Sequence, residues 1–247
     1  MTENDSLLTK RLSELSGRAA ARGIWTYSEF LTLPQQDDFL RLSIRDVPVS
    51  LYGGYPTAER KIAVFGSEDL CGWYEEPPIC CVLLKPILQK FADSLTHRDF
   101  LGALMSLGIR REVLGDIVVH ENRGYLFCLD SISEYIVREL KSVRHTSVTC
   151  ALSSLPEIVS QPADIMELVV ASERLDALVA AVYRLSRSVS QTLFDAEKVF
   201  CNGKNVRVSS TCNEGDVISV RGYGRFLYEG FLRETRKGWL RVAVRIY

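Results

Sequence analysis

Ile79-Cys80-Cys81-Val82-Leu83-Leu84 is followed by Thr96-His97-Arg98-Asp99-Phe100-Leu101-Gly102-Ala103-Leu104-Met105-Ser106-Leu107, and the way such segments succeed one another over residues 79–152 decides the fold. The first is a short apolar run of the kind that forms a buried strand. The second opens on Thr96 with Asp99 three residues later, a capping-box pattern, and Gly108 stops it, so it reads as a helix. Asp116–His120 and Gly124–Leu129 read as strands joined by a hairpin at Glu121-Asn122-Arg123. Ser131–Lys141 carries Ile132, Tyr135, Ile136 and Leu140 along one stripe, which predicts a helix. Thr146–Leu152 is a last strand. The order β-α-β-β-α-β is that of a ferredoxin-like unit, in which two helices cover one face of an antiparallel sheet.

On the amino-terminal side, Leu7, Leu8, Leu12 and Leu15 predict a helix over 6–22 that ends at Gly23. Residues 26–42 read as a second helix interrupted at Pro34. Residues 47–65 read as two strands around Gly53-Gly54-Tyr55-Pro56, and 66–78 as a loop. On the carboxy-terminal side, residues 153–164, with Pro156 and Pro162, read as a linker. A strand at 165–170, helices at 173–183 and 186–196, and strands at 199–201, 206–208, 217–221, 226–232 and 239–246 follow. Asn202-Gly203 is a hairpin turn signal, and Gly215-Asp216 introduces the next strand. The expected class is α+β in three parts: a helical and β-hairpin region (1–76), a ferredoxin-like domain related to RNA-recognition motifs (77–160), and a module of two helices and a small sheet (165–247).

A chain of 247 residues suits two or three domains. With 47% hydrophobic and 25% charged residues it is neither disordered nor fibrous in composition. No apolar run approaches the length of a membrane span. The first thirty residues carry Asp5, Lys10, Arg11, Glu14, Arg18 and Arg22 with no apolar core, so no secretory signal is expected. The seven cysteines are odd in number, form no C-x-x-C, and lack zinc-ligand spacing to His97, His120 or His145. Reduced, mostly buried thiols in a cytoplasmic protein are expected, with no metal, cofactor or small-molecule substrate.

The net charge of −1 conceals an asymmetry. Residues 172–247 hold 13 basic and 8 acidic residues, a net of +5, which leaves −6 for the rest. A basic end on a mildly acidic body suggests a polyanion-binding module. Within it, Arg174-Leu175-Asp176, Leu185-Ser186-Arg187-Ser188, Val199-Phe200-Cys201-Asn202-Gly203-Lys204 and Glu214-Gly215-Asp216-Val217-Ile218 resemble the S-four-type (αL) RNA-binding domain over roughly residues 172–222. The chemistry of the pattern stands by itself. Ser186 can cap a helix whose amino end, with Arg187 and Ser188, suits phosphate oxygens. Arg174, Arg187, Gln191, Lys198 and Lys204 are expected to line one groove, with guanidinium forks holding phosphate bidentately. Asp176 is expected to orient Arg174 or cap a helix. Leu175, Leu178, Val182, Leu185, Val189 and Leu193 are core by spacing. The chain departs from the pattern at Glu197, where such domains commonly have Gly. Arg221-Gly222-Tyr223-Gly224-Arg225 is either a tight turn with exposed charges or a place where backbone approaches phosphate and Tyr223 stacks on a base.

Gly53-Gly54-Tyr55-x-x-Ala58-Glu59-Arg60-Lys61, Thr96 to Ile109, Gly115-Asp116-Ile117 and Arg221 to Arg225 resemble the YlmH family of RNA-binding proteins. The resemblance implies contact with ribosomal RNA and transfer RNA, in particular on large subunits stalled with peptidyl-tRNA, in ribosome-associated quality control. Arg98, Arg110 and Arg111 form a possible secondary RNA surface, Arg110-Arg111 as an exposed pair. Arg98 is alternatively a fold-holding partner of Asp99 or Asp116. Tyr125 and Phe127 lie on one face of their strand, either free to stack on RNA or packed on the helices. Two other classes stand beside a non-enzymatic RNA binder. One is an RNA-modifying enzyme of pseudouridine-synthase type, for which Arg174-Leu175-Asp176 is a faint match without the Thr-Ser-Gly expected after it. The other is a cell-division-linked adaptor acting through the acidic body.

Overall fold

The structure, a computed structural model, describes residues 3–154 and 165–246. The chain divides into two compact units, Met1–Gln161 and Pro162–Tyr247. The residues expected to form the linker lie, from 155 onward, outside the described residues. Helices and antiparallel sheets are mixed in both units, an α+β arrangement. Among the described residues no helix is long and apolar enough to cross a membrane.

The first unit runs α1 (Glu3–Arg22), β1 (Thr26–Leu31), α2 (Leu33–Leu40), β2 (Val49–Tyr52), β3 (Lys61–Phe65), α3 (Glu68–Cys71), β4 (Ile79–Pro86), α4 (His97–Ser106), β5 (Leu114–His120), β6 (Arg123–Leu129), α5 (Asp130–Glu139), β7 (Ser142–Val143) and β8 (Thr146–Ser153). Three of its strands form a sheet in the order β1-β3-β2, and five form a second in the order β5-β6-β4-β8-β7. The expected helix over 26–42 is corrected. Thr26–Leu31 is a strand, paired antiparallel with β3. Its Thr, Tyr and Phe favour the pleated conformation, and Thr26, Ser28, Phe30 and Leu31 are buried. Pro34 interrupts nothing. It sits in the first turn of α2, where its missing N–H has no acceptor to lose. The Thr32 amide donates to Gln35 Oε1 at 2.8 Å and closes a capping box there. The expected loop 66–78 contains α3, a single turn capped by Ser67.

The two faces of the five-stranded sheet meet different neighbours. On one face Val82, Leu84, Leu126 and Cys128 pack with Phe100 and Leu104 of α4 and Ile136 of α5. On the other, Cys81, Tyr125 and Phe127 are buried beneath Tyr55, whose ring stacks on Phe127 at 4.8 Å. Tyr125 and Phe127 therefore neither pack on the helices nor lie open for a base, which corrects both expectations. Gly54 permits this approach, because a Cβ there would stand 2.4 Å from the Phe127 ring.

Polar groups lock the same seam. The Asp116 carboxylate accepts from the Tyr55 hydroxyl at 2.9 Å and from the amides of Glu59 and Arg60 at 2.6 and 3.2 Å. The Arg60 guanidinium donates to the carbonyls of Leu114, Phe30 and Arg111. Burial lowers the Arg60 pKa to about 10, which leaves it charged at neutral pH. Burial also pushes the Asp116 carboxyl above the usual carboxylate range, against the pull of its hydrogen bonds. The Gly53–Lys61 and Gly115–Ile117 motifs thus hold the small sheet onto the larger one.

The second unit runs β9 (Ile165–Val170), α6 (Leu175–Val182), α7 (Arg187–Asp195), β10 (Val199–Cys201), β11 (Lys204–Asn205), β12 (Val217–Val220), β13 (Gly224–Glu234) and β14 (Leu240–Ile246). Its six strands lie in the order β11-β10-β12-β13-β14-β9. Leu175, Leu178 and Val182 of α6 and Leu193 and Phe194 of α7 pack on Ile218, Phe226, Tyr228 and Val242. The strand expected at 206–208 is absent: Val206 and Val208 pack against this core from an irregular segment after the two-residue β11.

Candidate nucleic-acid interface

Ser186 caps α7, accepting from the Val189 amide at 3.3 Å and sharing a 2.9 Å hydrogen bond with the Ser188 hydroxyl. The first amides of a helix lack intrahelical acceptors and stand at its positive end. Arg187 and Gln191, one turn apart, are exposed on the same side of α7. The expected core stripe is corrected at Val189, which is 41% exposed. Ser190 is fully buried in its place, and its hydroxyl reaches the Asp176 carbonyl at 2.9 Å. A small polar side chain there lets α7 seat closely on the first turn of α6.

Arg174 precedes α6 and forms a bidentate pair with Asp176, at 3.0 and 3.1 Å. Asp176 thus orients Arg174. It also occupies the fork that a phosphate would use.

Strand register separates the remaining residues. Phe200 lies opposite Ser219, and Ser219 opposite Arg225. The Arg221 amide donates to the Lys198 carbonyl at 2.9 Å. Directly opposed residues share a face of the sheet, so Lys198, Phe200, Arg221 and Arg225 fall on the face away from the helices. The Arg221 guanidinium lies 4.7 Å over the Phe200 ring, a cation–π contact. Lys204 lies opposite Cys201, which packs with the core, and so falls on the helix side. The single groove expected from the sequence is thereby divided. Arg187 and Gln191 stand on α7, Lys204 stands on the helix-side edge of the sheet, and Lys198, Arg221 and Arg225 stand on the outer face.

Tyr223 caps the β12–β13 turn between Gly222 and Gly224, both at positive φ. It is 45% exposed, and its ring centroid lies 5.4 Å from that of Tyr183, whose phenol burial pushes up to about 12. Tyr223 therefore leans on Tyr183 at a tilt of 51° and leaves much of its ring open. The turns that carry these residues are tied together. Asn202 Nδ2 donates to Asp216 at 2.8 Å, Asn202 Oδ1 accepts from the Val217 amide, and Asp216 accepts from the Asn213 amide at 2.7 Å. Glu197 ends α7 at φ 52, in the conformation that favours glycine.

Among the described residues, Arg187, Lys198 and Arg221 make no ion pair. Sequence reasoning passed over Arg184, which is exposed at φ 54 in the turn between the two helices. Its signal was its place directly before Leu185-Ser186-Arg187.

Of the secondary residues, Arg98 is exposed and joins neither Asp99, which pairs with Arg144 at 3.6 Å, nor Asp116. Arg110 is paired with Glu29. Arg111 is half-buried and donates to the carbonyls of Leu114 and Gly115, so it is not part of an exposed pair.

Residues 86–157 match the family model described as the putative RNA-binding domain in YlmH. The chain is 34% identical over 204 residues to the "Ribosome-associated protein quality control protein P2" of Bacillus subtilis, covering 80% of this chain and 77% of that protein. It also shares a fold with the "Cell division protein ylmH from Streptococcus pneumoniae", with a TM-score of 0.50 at 18% identity over 64% of this chain and 96% of the other. With that identity sustained over most of both sequences, the chain belongs to the YlmH family.

Proposed function

We propose that this protein is a non-enzymatic, cytoplasmic RNA-binding protein that contacts structured ribosomal and transfer RNA on the large ribosomal subunit carrying peptidyl-tRNA, in ribosome-associated quality control. The observation that carries this reading is the set of unneutralised cations, Arg187, Lys198 and Arg221, exposed on a unit with a surplus of positive charge. Arg187 stands at a capped helix start, where fixed amide dipoles add to its field. Arg221, Phe200 and Tyr223 combine cation and ring in the way that RNA-contacting surfaces do. The family match over 86–157 and the quality-control name of the Bacillus subtilis relative support the same reading.

The layout follows from it. The 165–247 unit is an S-four-type (αL) domain, the β4–β8 region with α4 and α5 is a ferredoxin-like domain, and 1–76 is an added region that covers the sheet face of that domain. The grip is phosphate neutralisation plus shape recognition of folded RNA. Because the cations divide between α7 and the outer sheet face, two double variants test it. Arg187→Ala with Gln191→Ala, and Lys198→Ala with Arg221→Ala, are each expected to weaken co-sedimentation with large subunits. The second is expected to flatten the log–log salt dependence of tRNA binding by about 1.4–1.8. Unchanged binding by both variants would overturn the reading.

A further inference from the structure

In the first unit, a groove of about 660 Å³ runs along α1, lined by Arg11, Glu14, Gly17, Arg18, Arg22 and Tyr27 among others. At 100° per residue, positions 11, 18 and 22 fall within about 40° of one another and span roughly 16 Å of helix. All three arginines are exposed. Arg11 lies 3.7 Å from Glu29, the carboxylate that also holds Arg110 of the neighbouring loop. Among the described residues neither Arg18 nor Arg22 makes an ion pair. Between them and Arg11, Gly17 faces open space, since a Cβ there would meet no atom within 4 Å. The buried side of α1 is fixed by Leu12, Leu15 and Ala19 in the core, so the arginine row cannot rotate away.

We infer that this groove is a second RNA-binding site, which holds the phosphate backbone of a structured RNA through Arg18 and Arg22, with Arg11 at its end. The identity of the ligand rests on the function proposed above; the site itself rests on the groove. Guanidinium forks left free in a concave, partly apolar wall match phosphate oxygens in geometry and charge. The one carboxylate in the lining, Glu14, is outnumbered by three arginines. An acidic protein segment would also meet the charge. However, a protein already inferred to hold RNA through its second unit gains most from a second contact with the same polymer, because the second binding event is then intramolecular.

The test uses the full chain, bulk transfer RNA as probe, and a series of salt concentrations. Arg18→Ala with Arg22→Ala is expected to lower affinity several-fold and to flatten the log–log salt slope by about 1.4–1.8, while Arg18→Lys with Arg22→Lys keeps most of the slope. Both arginines are on the surface, so the urea midpoint stays unchanged. An unchanged slope in the alanine variant overturns the site and leaves the function proposed for the second unit standing. Loss of slope in this variant, with unchanged binding by both second-unit double variants, keeps the site and overturns the RNA grip proposed for the second unit. Loss of binding to poly-glutamate with an unchanged tRNA slope assigns the groove to an acidic partner and overturns the inference.

Discussion

Arg60 and Arg187 are the same residue in opposite circumstances, and they represent the two regions they belong to. Arg60 is buried in the seam of the first unit, its guanidinium given over to three carbonyl groups and its charge facing Asp116. Arg187 is exposed at a helix start with no ion-pair partner among the described residues. The pattern extends to aromatic residues. Phe127 lies under Tyr55, whereas Tyr223 stays exposed. Residue type alone therefore does not separate a group spent on the fold from one left available to a ligand. What separates them is whether the fold has already satisfied the donors and covered the ring.

The contrast is broken most strongly at the seam. Arg60→Ala is expected to destabilise the first unit by about 3–5 kcal/mol, because it takes a donor from the Phe30, Leu114 and Arg111 carbonyls, leaves Leu114 to Arg111 alone, and removes the buried cation facing Asp116. Urea unfolding followed by tryptophan fluorescence measures this, and a loss under 1 kcal/mol would show that the seam holds by apolar contact alone. Phe127→Ala is expected to cost about 3 kcal/mol through the cavity it leaves. Its salt slope for tRNA should match that of the unaltered protein at temperatures where it stays folded. A flattened slope would place this ring among the RNA contacts. Glu197→Gly acts in the other region and in the other direction. Relief of the left-handed backbone is expected to add up to about 1 kcal/mol, and removal of a negative charge beside Lys198 to tighten RNA binding. Equal affinity would place the contact elsewhere.

The smallest effect is a pH dependence. Asp116 has a folded-state pKa raised by burial. Its contribution to stability is therefore complete below the unfolded value, about 4, and is lost as pH rises through the folded value. Asp116→Asn should flatten that part of the stability curve, as read by urea midpoints between pH 3.5 and 6.5.

Much of this was legible beforehand. The Thr96–Asp99 capping box, the apolar β4 run and the stripe on α5 are local signals, and each element formed where they predicted. The expected hairpin after β5 also formed, with Glu121 and Asn122 both at positive φ. Thr26–Leu31 misled because a six-residue segment carries little periodicity, and its pairing with β3 comes from residues thirty or more positions away. The site was legible in composition and less so in arrangement. Arg187, Lys198 and Arg221 were recognisable as cations of one module, yet their division between helix and sheet face depends on the register of β10 with β12. The arginine row on α1 carried a readable signal, its spacing of seven and four, that went unused because each arginine singly looks like an ordinary solvated charge.

What the sequence by itself determined is therefore what short-range chemistry can encode: caps, turns, apolar periods and the basic bias of the last third. Only the tertiary structure decided which of two similar rings is sealed, which arginine is spent on carbonyls, and which face of the sheet a lysine meets. The physical reason is that burial and hydrogen-bond satisfaction belong to pairs of residues far apart in the chain. A sequence read along its length specifies such pairs only through the packing that brings them together.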